Sequence, residues 1–160
     1  MQKKQTIKKE MTKAEVLQKL TALCAKSEHC QYDILTKMSA WNVPEAMQAE
    51  VLAYLISERY VDDERYTRAF IRSKATYNRW GRRKIEQALR MKRVGEDVYK
   101  PLLDEVCSAE DYEKTLLPLL QTKVKSVKGN SEYEIRGKLI RFALSRGFDY
   151  DVIERVIEKL

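Results

Sequence analysis

One apolar pattern is written three times along this chain, and that repetition constrains the fold more than any single motif. Ile34, Met38, Val43 and Leu52 superpose on Ile85, Leu89, Val94 and Leu103 with a constant offset of 51 residues. Ile85, Leu89, Val94, Val98, Leu102 and Leu103 superpose in turn on Leu139, Ala143, Phe148, Val152, Val156 and Ile157, offset by 54. The recurrent spacing of four within each copy belongs to helices. Each copy reads as a helix, a short break, a second helix, an apolar residue and a third helix. The apolar residue is followed by Pro44, Gly95 or Asp149, three start signals: proline suits the first helical position, glycine and aspartate the cap before it.

The pattern predicts helices over 12–27, 31–41, 44–58, 62–78, 82–92, 96–107, 111–127, 132–146 and 149–160. Periods near 50 with helices throughout indicate an all-α, elongated tandem array of three three-helix repeats. The expected divisions are a flexible basic tail over 1–11 and repeats over 12–60, 61–108 and 109–160. Each repeat buries its own stripes, so neighbouring repeats should touch little. Ile85, Leu89, Val94 and Leu102 should share one core, and Leu139, Ala143, Phe148 and Val156 a separate one. Pro101 and Pro118 fall inside two of these helices and should shorten or kink them. Gly129-Asn130-Ser131 marks a turn in the third copy.

Composition narrows the function classes. Only five Gly and three Pro argue against an all-β design with many tight turns. No apolar run approaches the roughly 18 residues of a membrane span, and no apolar core follows the basic start. The expected location is the cytoplasm, with no membrane contact. Three cysteines without a close pair predict reduced thiols. Cys24, His29 and Cys30 lack the second ligand group that a structural zinc site requires. No phosphate-binding glycine loop or metalloprotease motif occurs, and the single histidine sits beside Cys30 with no partner element to complete a catalytic pair. Neither an enzyme nor a cofactor or metal is expected.

Charge supplies the functional signal. Residues 64–93 hold eleven Arg or Lys against two acids, Glu64 and Glu86, so this stretch is +9 in a chain of net charge +7. A localised positive field is what a polyanion binder needs; a solvated helix can also carry one. Arg65, Arg68, Arg72 and Arg79 fall on one helix face, with Tyr66, Ala69, Phe70, Ser73 and Tyr77 forming the apolar stripe beside it. Arg82, Arg83 and Lys84 open the next helix, where the macrodipole disfavours cations by about 0.3–1 kcal/mol each. A chain that tolerates this is expected to use the cations to hold an anion. Arg68, Arg72, Arg82 and Arg83 are placed on solvent-facing surface, so reversing them to Glu should leave the fold intact. Ahead of them, Asp62-Asp63-Glu64 could hold a metal. Their simpler role is to cap the helix starting there and meet its positive dipole end, with Asp62 or Asp63 as the cap.

These residues carry a resemblance. Tyr60-Val61-Asp62-Asp63-Glu64-Arg65-Tyr66, then Ala69-Phe70 and Ser73, then Gly81-Arg82-Arg83-Lys84-Ile85 and Leu89-Arg90, resemble the central signature of the RecX family of recombination regulators. The triplicated layout resembles that family too, so the likeness spans about 12–160. One departure stands out: the family often closes the second helix with Lys-Gly-apolar, and here the sequence is Lys92-Arg93-Val94, while the third copy keeps Arg146-Gly147-Phe148. The resemblance implies a cytoplasmic modulator of the RecA recombinase that binds RecA and its nucleoprotein filament along the filament groove; a monomer is expected. It implies inhibition of ATP hydrolysis, strand exchange and coprotease action, and roles in DNA recombination, DNA repair and the SOS response. The expected filament-contacting face is Arg65, Arg68, Arg72, Lys74, Arg79, Arg82, Arg83, Lys84 and Arg90, with Asp62, Asp63, Glu64 and Gly81 as signature and capping positions. Weak binding to free DNA is a secondary expectation. Two other readings stay open: a helix-turn-helix-like module with 81–93 in a DNA major groove, and a helical adaptor unrelated to recombination.

Overall fold

Helices supply the regular structure of residues 9–160, the part of the chain that the computed structural model describes, and no strand occurs among the described residues. They are α1 (Lys13–Lys26), α2 (Gln31–Ala40), α3 (Glu45–Ser57), α4 (Asp63–Thr76), α5 (Arg82–Met91), α6 (Glu96–Val106), α7 (Ala109–Ser126), α8 (Glu132–Ser145) and α9 (Tyr150–Ile157). Each repeat contributes three in order: α1–α3, α4–α6 and α7–α9. Lys3, Lys4 and Lys8 of the expected tail lie outside the described residues; Lys9 is exposed and precedes the first helix.

Side-chain caps fix several starts. Thr12 and Ser131 accept from the backbone N–H of Glu15 and Glu134, each at 3.2 Å. Ser108 does the same for Asp111 at 3.2 Å, and Asp111 reaches back to the Ser108 N–H at 2.8 Å. This reciprocal capping box starts α7 at Ala109, two residues before the expected start. The second helix of each repeat ends in a left-handed residue: Asn42 (φ 57°), Arg93 (φ 54°) and Gly147 (φ 88°). The next N–H then bonds back five residues, Val43 to Met38, Val94 to Leu89 and Phe148 to Ala143. Val43, Val94 and Phe148 are thereby turned into the interior. Arg93 takes the family's glycine position at the expense of left-handed backbone strain, about 1 kcal/mol for a residue with a Cβ. All three following residues are N-caps, Pro44 included, so α3 begins one residue later than expected, at Glu45.

Both internal prolines are carried without ending their helices: α6 continues to Val106 past Pro101 and α7 to Ser126 past Pro118. Both rings are exposed. The carbonyls they leave unbonded, four residues upstream, therefore have water within reach.

Contacts divide the chain into two compact units, the first ending at Tyr66 and the second running from Thr67 to Leu160. The first has a core of Val16, Leu20, Ile34, Met38, Val43, Val51, Leu55 and Val61, with Leu23, Trp41, Met47 and Leu52 among those packed around it. The second contains most of α4 and all of α5–α9. There Ile85, Leu89, Val94, Leu102, Leu139, Ala143, Phe148 and Val156 are all buried.

Inside this unit the helices pack mainly within their own repeats, α5 on α6 and α7, α8 and α9 on one another, as expected; the second and third repeats meet at one tight local seam. Gly81, at the start of α5, lies against the turn that ends α8. A Cβ on Gly81 would come within 2.2 Å of the Phe148 backbone N, and one on Gly147 within 2.3 Å of the Lys84 Cβ. The Gly81 N–H donates to Arg146 O at 2.8 Å and the Arg83 N–H to Gly147 O at 2.9 Å. Unsatisfied amides of one helix start meet unsatisfied carbonyls of another helix end, and opposite dipole ends face each other.

Candidate interaction surface

The acids preceding α4 have two different structural roles. Asp62 caps α4, its Oδ1 accepting from the Arg65 N–H at 3.1 Å. Asp63 instead caps α2, its Oδ1 accepting from the Gln31 N–H at 2.9 Å. Burial pushes the Asp63 carboxyl above its ordinary pKa, with Asp62 and Asp33 adding to the shift while the Gln31 N–H opposes it. Glu64 sits in the first turn of α4, as the dipole favours. The Asp62 and Asp63 carboxylates thus serve two separate helix N-termini, and among the described residues no group of three or more His, Cys, Asp or Glu could hold a metal. Burial raises the Cys30 thiol to about 11, which keeps its proton on and makes it a poor ligand.

Arg65 belongs to the turn before α4 as much as to an outer face. Its Nε meets Glu28 at 2.6 Å and its Nη2 donates to Arg59 O at 2.9 Å, where Arg59 has φ 61°. This guanidinium fastens the strained corner between α3 and α4.

The expected cationic face of the second repeat is split into two kinds of site. Arg68 is paired with Glu105 at 2.6 Å, Arg83 with Asp149 at 2.7 Å and Arg82 with Asp104. Arg90 holds Glu86 at 3.0 Å and donates to the Tyr99 hydroxyl at 2.9 Å. Hydrogen bonding to Arg68 and its charge hold the Glu105 carboxyl below its ordinary range. Arg68 and Arg82 are half-buried, with side chains 30% exposed, rather than free on the surface. Reversing them would set carboxylate against carboxylate, so the fourfold reversal is not a neutral change.

A second kind of cation has no carboxylate. Lys74 Nζ lies 4.9 Å and Lys84 Nζ 4.7 Å from the Trp80 ring centroid, so one indole faces two ammonium groups. Arg79 is exposed at φ 53°. It does not continue the Arg65–Arg68–Arg72 face, because α4 ends at Thr76 and the Trp80 N–H bonds back to Lys74 O at 3.0 Å. Arg72 is exposed on α4, near enough to Glu105 to help hold that carboxyl low. Among the described residues, none of Arg72, Lys74, Arg79 and Lys84 has an ion-pair partner.

Residues 67–93 carry ten Arg or Lys and one acid, a net +9. Asp104, Glu105 and Asp149, from outside that stretch, bring the local total to +6. Compensation from within the protein thus meets the dipole penalty at Arg82 and Arg83, and no bound anion is needed to explain them. Gly81 is a close-packing glycine at the N-cap rather than a free turn.

The comparisons with known proteins follow this geometry closely. The family model described as RecX, second three-helix domain, matches residues 62–100, from the α4 cap into α6, and the model for the RecX third three-helix domain matches 110–157. Regulatory protein RecX of Chlorobium limicola is 31% identical over 132 residues, covering 82% of this chain and 80% of that one. The chain belongs to the RecX family. A crystal structure of regulatory protein RecX superposes with a TM-score of 0.83 at 20% identity, covering 91% of this chain and 73% of the other. RecX from Lactobacillus salivarius gives 0.79 at 17%, covering 92% and 97%. At those identities the likeness is one of fold. The RecX signature can now be read physically. Its first aspartate caps α4, its second caps α2, and its glycine admits the α8–α9 turn. Not legible in the sequence were the carboxylates that pair five of the seven arginines of the expected face, Arg65, Arg68, Arg82, Arg83 and Arg90. The expected apolar stripe of α4 is also corrected: Ala69, Ser73 and Tyr77 are exposed, and Tyr66, Ile71 and Ala75 are the buried positions. For Trp80, which faces two uncompensated cations, aromatic residues interleaved with the cations were the available signal.

Proposed function

We propose that this RecX protein binds the RecA recombinase and its nucleoprotein filament and lowers the filament's ATPase, strand-exchange and coprotease activities. It acts without a cofactor and without catalysis of its own, as a monomer in the cytoplasm, within DNA recombination, DNA repair and the SOS response. The proposed divisions are a basic tail over 1–11 and repeats over 12–60, 61–108 and 109–160. The observation that carries the reading is the positive surface left on α4–α5 after intramolecular pairing, in a chain whose family is one of regulators. RecA–DNA filaments present polyanion to such a surface.

The helix-turn-helix reading is disfavoured by the seam at Gly81. A recognition helix contacts bases through its N-terminal residues. Here that end of α5 is occupied by Arg146, Gly147 and Phe148. The test is RecA ATPase on single-stranded DNA titrated with the protein, alongside co-sedimentation with the filament. Dose-dependent suppression together with co-sedimentation is expected. Unchanged ATPase with no co-sedimentation would favour an adaptor unrelated to recombination.

A further inference from the structure

We infer that the corner between α4 and α5, centred on Tyr77, Arg79 and Trp80, is a binding site for single-stranded nucleic acid. It deepens the reading above and rests on it, because it names the filament component that the second repeat touches. Three observations converge. Tyr77 is 84% exposed at the end of α4, a large aromatic ring on open surface. Lys74 and Lys84, from α4 and α5, both lie within 5 Å of the Trp80 ring centroid, and neither is paired with a carboxylate. Both ammonium groups face the indole and neither holds a carboxylate, which leaves their charge for an outside anion. Arg79, next in the chain, is exposed and equally uncompensated. On the other side of Gly81, Arg82 and Arg83 already have their acids.

Cations without a carboxylate partner call for phosphate. The exposed tyrosine calls for an unpaired base, since a duplex has no free π-face to stack on it. Beyond the end of α4 at Thr76, Tyr77, Asn78 and Arg79 are all exposed, with Arg79 in a left-handed conformation just before Trp80. Arg72 is not part of the site: two positions from Lys74, it stands about 200° around α4, on the flank nearer Glu105.

The test uses the full chain and a fluorescein-labelled oligothymidylate, read by anisotropy. Tyr77→Ala and Arg79→Gly are each expected to weaken binding about tenfold. Arg79→Gly removes the charge where glycine suits the backbone, so folding is preserved. It should also make the log–log salt dependence shallower by about 0.7, while Tyr77→Ala leaves that slope unchanged. Arg68→Gln and Arg83→Gln, at compensated positions, should change affinity less than twofold. Wild-type affinity in both corner variants would overturn the inference, and so would equal competition by duplex. Filament co-sedimentation run in parallel separates the two readings. Filament binding without oligonucleotide binding would sink the corner site alone, whereas failure of the wild type to bind filament would sink the RecA reading itself.

Discussion

Arg79-Trp80 and Arg82-Arg83 stand on either side of Gly81, and their fates are opposite. Downstream, the start of α5 is closed: two arginines hold Asp104 and Asp149, and the backbone abuts that of Gly147. Upstream, Arg79 is exposed in a left-handed conformation, and Trp80 is flanked by two lysines that hold no acid. Side chains of the same chemistry, three residues apart, thus serve the fold on one side and remain available on the other. The difference teaches that charge density along a sequence overstates the field a partner meets, because acids distant in sequence return to cancel part of it.

Breaking the closed side has the largest expected effect. Gly81→Ala forces a Cβ onto backbone atoms, which have no rotamer to yield, and should cost about 3 kcal/mol or more in denaturant unfolding. A loss under about 1 kcal/mol would show that the seam between the second and third repeats is loose.

Next come the two aspartate caps, Asp62 on α4 and Asp63 on α2. Asp62→Ala should lower stability by about 1 kcal/mol. Asp63 differs because its carboxyl is raised by burial: its contribution is fully present below the unfolded pKa and is lost as pH rises through the folded one. Asp63→Asn keeps the acceptor for the Gln31 N–H without the buried charge. It should therefore gain on wild type as pH climbs from the ordinary aspartate value of 3.8, and the gain should level off once Asp63 is ionised. A gain that shrinks over that window would contradict the burial argument.

Smaller effects of opposite sign sharpen the contrast. Arg79→Gly relieves left-handed strain at an exposed position and should raise stability by up to about 1 kcal/mol, measured by thermal unfolding. Arg83→Gln removes an exposed ion pair and should shift stability by no more than about 0.5 kcal/mol. A larger loss would mean that Arg83 helps hold the seam.

The helices were legible because apolar spacing and caps agree locally. α2, α4 and α5 end or begin within about two residues of the expected positions, and Asp62 is the cap its place implied. Long-range pairing was not. Arg82 finds its acid 22 residues away, Arg68 37 and Arg83 66, and no local pattern encodes such distances. The Gly81–Gly147 contact left a trace in the two glycines, yet each also reads as an ordinary turn. Arg79 was misplaced on a helix face because Tyr77-Asn78-Arg79 carries no glycine to mark the end of α4. The Asp63 cap could not be read locally, since its helix lies 32 residues upstream.

Two triple variants compared in one ATPase titration of RecA on single-stranded DNA test most directly whether the uncompensated cations make the contact. Lys74→Gln/Arg79→Gln/Lys84→Gln removes uncompensated cations, and Arg68→Gln/Arg82→Gln/Arg83→Gln removes compensated ones. The expected result is that the first loses suppression of the ATPase, while the second keeps it within about threefold of wild type, with both proteins folded by circular dichroism. Suppression retained by the first and lost by the second would contradict it, and would assign the contact to the cations that the protein already pairs.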